Sequence, residues 1–74
     1  MKDNIKPIIE LVENLESDFN NKDQGNNESN KLLKDRAYSI LSGLKRNQDN
    51  PENEEYDDVL EDLIVRVIEI IGQL

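Results

Sequence analysis

The sequence predicts an all-α fold, a small antiparallel three-helix bundle, and three observations carry that expectation. Apolar residues recur at intervals of three and four in three separate segments. Asn-rich polar stretches divide those segments. The one β-branched run, LIVRVI, has no second strand to pair with. The 74 residues make a single domain, with helices expected at about 4–20, 28–46 and 51–73.

In the first segment Ile5, Ile8, Val12, Leu15 and Phe19 fall on one helical stripe, which Ile9 and Leu11 widen. Asp3 or Asn4 is placed to cap its start. Pro7 falls in or near the first turn, where the missing N–H matters least. The stretch NNKDQGNN at 20–27 has no periodicity and contains Gly25, so it reads as a flexible loop.

The second segment places Leu33, Ala37, Ile40, Leu41 and Leu44 on one stripe, with Leu32 and Tyr38 at its margins. Asn27 or Ser29 is the candidate cap, and Lys45 and Arg46 suit the negative end of the helix dipole. Gly43 costs about 1 kcal/mol relative to Ala if it stays helical. After NQDN, the pair Asn50-Pro51 has the form of a cap followed by Pro at the first helical position.

The third segment has the strongest pattern. Tyr56, Leu60, Leu63, Val67, Ile70 and Leu74 alternate steps of four and three. Val59, Ile64, Ile68 and Ile71 broaden the apolar surface to roughly half the circumference at about 100° per residue. Two shorter helices would cover only part of so broad a face. It is therefore expected to be the central helix or the contact surface of a homodimer, with Tyr56, Leu63, Val67, Ile70, Ile71 and Leu74 at the interface.

Composition points to the same need for a partner. A core this small rarely supplies more than ~3–5 kcal/mol of net stability, and small domains add a disulfide, a metal or a subunit. There is no cysteine and no histidine, so no disulfide and no transition-metal site is expected, and no cofactor. Association with another chain is the remaining device. The run LIVRVIEII is too short and too charged to span a bilayer, so no membrane partner is expected. The opening residues lack the continuous apolar stretch of a secretory leader, which points to the cytoplasm. The abundance of Asn, Ile and Lys suggests a low-GC bacterium or its phage.

Little in the chain suggests an enzyme. Its serines have no histidine to activate them, and its three glycines are too scattered for a phosphate loop. One Phe, two Tyr and no Trp leave little with which to line a substrate pocket. A calcium loop centred on Gly25 would need acidic ligands where Lys22 and Lys31 stand.

Charge is the informative property. Seventeen acids against nine bases give a net charge of −8, unevenly spread. Positions 31–46 hold Lys31, Lys34, Arg36, Lys45 and Arg46 against Asp35, a balance of +4. Positions 47–74 hold nine acids against Arg66, a balance of −8. The basic residues are expected to pair with acids of neighbouring helices, the third above all. In ENEEYDDVLED, at 52–62, every residue except Asn53, Tyr56, Val59 and Leu60 is acidic. Acids in a first helical turn complement the dipole, but this run continues for two turns beyond it. Like charges at i, i+4, such as Glu54/Asp58 and Asp58/Asp62, cost a few tenths of a kcal/mol each.

ENEEYDD followed by an apolar terminal helix resembles the acidic immunity proteins of colicin-type toxins, over about the last third of the chain and without a diagnostic motif. That resemblance implies a role as an inhibitor. The expectation is a small acidic protein that neutralises a basic, nucleic-acid-handling partner through Glu54, Glu55, Asp58, Glu61 and Asp62. The competing classes are a helical module that assembles with itself and a nucleic-acid-binding regulator using the basic second helix. Phosphate repulsion makes nucleic acid an unlikely ligand for the chain as a whole.

At this charge density self-repulsion outweighs a few surface ion pairs, and added ions screen it. The melting temperature near neutral pH should therefore rise from low to physiological salt. A fall on calorimetry would show that specific ion pairs dominate instead.

Overall fold

A computed structural model describes residues 5–21 and 27–74. Helix α1 spans Lys6–Asn20, α2 spans Asn27–Asp49 and α3 spans Asp57–Gln73, with a 3-10 helix over Pro51–Tyr56 between the last two. The fold is an all-α three-helix bundle. It is elongated, with extents of 41 × 17 × 15 Å.

Short contacts fix the helix directions. Arg36 of α2 meets Asp18 near the end of α1, while Gly43 of α2 lies beside Ile8 near its start. These two helices are therefore antiparallel. Gln48 at the end of α2 meets Glu61 near the start of α3, so that pair is antiparallel as well. Arg66 of α3 reaches Glu16 of α1, running alongside.

The core is one cluster drawn from all three helices. Ile5, Ile8, Val12 and Leu15 come from the first segment, Leu33, Ala37, Ile40 and Leu44 from the second, and Leu60, Leu63, Ile64, Val67 and Ile70 from the third. Ile9, Phe19, Leu41, Tyr56, Ile71 and Leu74 pack against its edge. Each stripe follows the three-and-four spacing of its segment, because that spacing returns side chains to one side of a helix.

Helix α2, rather than α3, is central, with both other helices packed along it. The apolar face of α3 expected to need a second subunit is largely taken up within one chain. Leu63, Val67 and Ile70 are buried in the core, and Tyr56, Ile71 and Leu74 are half-buried against it. The physical reason is the length of α2. Its 23 residues extend about 34 Å at ~1.5 Å per residue, enough to back the whole of α3.

The ends of the elements differ in detail from the sequence expectation. The proposed caps Asp3 and Asn4, and most of the 20–27 loop, lie outside the described residues. Ser29 falls inside the first turn of α2 rather than ahead of it. Asn50 does cap the 3-10 helix, its Oδ1 accepting from the Glu52 N–H at 3.0 Å with Pro51 next to it. Helix α2 runs to Asp49, three residues past its expected end.

Gly43 remains helical and lies where α1 comes close to α2. A Cβ at Gly43 would lie 3.1 Å from Ile8 Cδ1, whereas one at Gly72 would meet nothing within 4 Å. Gly72→Ala should therefore gain up to about 1 kcal/mol of helix propensity. Gly43→Ala should show no such gain, and Gly43→Val should lose about 1–3 kcal/mol through overpacking. Urea denaturation of the three variants checks the order, and a stabilised Gly43→Val would show that α1 is not held closely there.

Candidate protein-binding site

The acidic run begins at a corner. Helix α2 must end and the chain must turn before α3 can return along it. The last carbonyls of any helix lack partners within it. Here the Asn47 carbonyl accepts from the Asn50 N–H at 3.2 Å and from Asn53 Nδ2 at 3.1 Å. Asn53 Nδ2 also lies 3.3 Å from Asn47 Oδ1, and Asn47 Nδ2 donates to the Gly43 carbonyl at 2.8 Å. Asn53 is 0% exposed, a buried amide in the middle of a run of acids.

That buried amide accounts for the local backbone. The stretch expected to begin a long α-helix is instead a 3-10 helix, with the Asn53 N–H donating to the Asn50 carbonyl at 2.9 Å. In a 3-10 helix side chains at i and i+3 eclipse one another. Asn53 and Tyr56 therefore share the inner line and turn towards the core. Glu52 and Glu55 fall on a second line, and Pro51, Glu54 and Asp57 on a third, and all of these are exposed. At Asp57 the chain becomes α-helical, and the inner line continues through Leu60, Leu63 and Val67.

All five acids expected to bind a partner, Glu54, Glu55, Asp58, Glu61 and Asp62, are exposed. Two of them are engaged. Glu61 accepts from Gln48 Nε2 at 2.9 Å, and Asp62 lies 3.4 Å from Arg66 Nε. Arg66 also reaches Glu16 of α1 at 3.6 Å, so the one base of this region ties α3 to α1. These contacts are solvent-exposed and contribute at most about 1 kcal/mol each. Glu54, Glu55 and Asp58 form no ion pair among the described residues. The change of helix type at Asp57 also means that Glu54 and Asp58 are not i, i+4 neighbours on one α-helix.

The basic residues of α2 do not neutralise the run as expected. Arg36 pairs with Asp18 of α1 at 2.6 Å, not with α3. Lys31, Lys34, Lys45 and Arg46 are exposed and form no ion pair among the described residues. Their positions explain this. The buried stripe of α2 is apolar, and Lys31, Lys34 and Lys45 lie exposed outside it.

Two hollows lie among the described residues. A hollow of about 150 Å³ lies beside Glu16 and Arg66, and another of about 240 Å³ beside Asp18, Leu32 and Arg36. Both are smaller than the ~300–1,000 Å³ usual for small-molecule sites. Among the described residues no group of three or more acids gathers in a way that would hold a metal ion. No helix among the described residues is long and apolar enough to cross a membrane.

Comparison of the chain with protein-family models, with curated proteins and with solved structures found no match in any of the three.

Sequence reasoning missed Asn47 and Asn53, whose part is to hold the acidic segment against α2. Asn53 stands three residues before Tyr56, so it continues the inward pattern by one step. Removing its side chain with Asn53→Ala should cost about 1–3 kcal/mol by taking away a donor shared between the Asn47 carbonyl and side chain. Asn53→Asp should cost at least as much, because an oxygen would then face the Asn47 carbonyl. A loss below about half a kcal/mol in chemical denaturation of either variant would show that the corner is held by other contacts.

Proposed function

We propose that this chain is a small acidic cytoplasmic protein that binds and neutralises a basic, nucleic-acid-handling protein, in the manner of an immunity protein or a phage-encoded inhibitor. The observation behind the proposal is the unmatched charge at the start of α3. Glu54, Glu55 and Asp58 stand exposed and unpaired among the described residues, although Lys31, Lys34, Lys45 and Arg46 stand unpaired on the same molecule.

A fold selected for stability alone has reason to bring these charges together. Leaving them apart keeps the acids available to a partner. An acidic surface speeds encounter with a basic protein and discriminates against acidic ones. It also resembles a row of phosphates in charge, which suits it to the surface of a nuclease or another nucleic-acid-binding enzyme. The chain itself acts here as a binding protein and not as an enzyme.

A second reading, a helical module that assembles with itself, draws on a different observation. Tyr38, Val65 and Ile68 are large apolar side chains left 53%, 46% and 49% exposed.

Charge reversal tests the first reading. Changing Asp58, Glu61 and Asp62 together to Lys should leave the helical spectrum intact and abolish capture of a basic partner from cell extract. The association rate should fall and lose most of its salt dependence, since steering is what the acids supply. Asp58→Lys should be the most damaging single change. Unchanged capture by a correctly folded triple variant would remove the inhibitor reading.

A further inference from the structure

The flank of the α2–α3 hairpin that faces away from α1 carries exposed apolar side chains, with lysines on its α2 side and Glu61 on its α3 side. Three contacts with α1 fix its orientation. On α2, Arg36 and Gly43 mark the side turned to α1. Helical rotation of about 100° per residue puts Lys34, Tyr38, Leu41 and Lys45 on the other side. On α3, Arg66 marks the side turned to α1. The same rotation puts Ile68 and Glu61 about 160° and 140° round from it, and Gly72 and Val65 about 120° and 100°.

The Gln48–Glu61 hydrogen bond sets the level of the two helices. Running antiparallel from there, Lys45 stands at the level of Val65, Leu41 at that of Ile68, and Tyr38 at that of Ile71 and Gly72. Tyr38, Val65 and Ile68 are about half exposed, and Leu41 and Ile71 are half-buried beside them.

We propose that this flank binds a second copy of the same chain. The occupant is chosen by charge. The α2 edge of the strip is basic, with Lys34 and Lys45 unpaired among the described residues, and the α3 edge carries Glu61. A surface with one positive and one negative edge is complementary to itself when a two-fold axis runs parallel to the helices. That axis lays α2 of each copy over α3 of the other, with Lys45 of one facing the region of Glu61 in its partner. An axis across the helices would stack α2 on α2 and set lysines against lysines.

The arrangement is isologous and closed, as most homodimers are. It buries Tyr38, Leu41, Val65 and Ile68, a set with the aromatic and aliphatic character of an interface core. It leaves Glu54 and Glu55 outside the contact, whereas Glu61 belongs both to this flank and to the acidic surface.

Sedimentation equilibrium of the purified chain, with no partner present, tests this between micromolar and millimolar concentration in physiological salt. The mass should rise with concentration towards twice 8.6 kDa. Ile68→Asp places a charge on a side chain already half exposed, so the helical spectrum should be kept while dimerisation weakens at least tenfold. Lys45→Glu and Glu61→Lys should each weaken it, and the two changes together should restore it. A single-chain mass throughout the range overturns the proposal, as does an Ile68→Asp variant that dimerises like the parent. Failure of the double change to rescue overturns the pairing of α2 with α3. Capture of a basic partner by Ile68→Asp should be unchanged, so this proposal can fail without the inhibitor reading failing with it.

Discussion

The structure depends on how α2 ends. A chain with no cysteine has to reverse direction within a few residues and keep its last helix in register with the first two. Asn53 does this by donating to the Asn47 carbonyl and lying within hydrogen-bonding distance of the Asn47 side chain. The Asn47 carbonyl, at a helix end, thus accepts from Asn53 as well as from the Asn50 N–H. Because Asn53 is pinned inward, the eclipsed geometry of the 3-10 helix brings Tyr56 inward too. The acids between them then have only outward directions left. A buried hydrogen bond thus decides where the most highly charged part of the surface points.

The hydrophobic core supplies the stability that lets such a surface exist. Burial of an apolar side chain such as Leu or Val contributes about 1.5–3 kcal/mol, several times what an exposed ion pair contributes. With thirteen hydrophobic residues in the buried cluster, the fold does not rely on pairing its surface charges. Lys31, Lys34, Lys45 and Arg46 therefore stay unpaired among the described residues, as do Glu54, Glu55 and Asp58. The bundle holds in spite of this, which leaves the surface chemistry to be set by something other than stability.

Much of the fold was legible in the sequence because it rests on periodicity. The stripes through Val12 and Leu15, through Ala37 and Leu44, and through Leu60 and Val67 all became core, each where its spacing put it. The Asn50 cap and the Pro51 beside it were legible for the same kind of reason, since a local motif fixes a local conformation. Less legible were features that depend on two distant segments meeting. Nothing near Gly43 in the chain announces that Ile8 will sit against it. Asn53 reads as one more polar residue in an acidic run until α2 is placed beside it. The breadth of the apolar face on α3 was legible, but its use was not. Its width suggested a second subunit, whereas the long α2, with α1 packed beside it, covers most of it.

What remains after the core is filled is a division of α3 into three surfaces. One is buried against α1 and α2, one is acidic, and one is the apolar strip of Val65 and Ile68. The acidic surface is tied to the core at its start by Asn53 and one turn further on by Leu60 and Leu63. A backbone tied down in this way loses little conformational freedom when a partner docks, and so more of the electrostatic attraction survives as binding. The engaged carboxylates lie at its α3 end, where Gln48 and Arg66 hold Glu61 and Asp62. The unpaired ones, Glu54, Glu55 and Asp58, lie nearer the corner. A basic partner would therefore meet its strongest unscreened field at the turn between the helices rather than along the helix itself, and recognition would depend on the 3-10 segment as much as on α3.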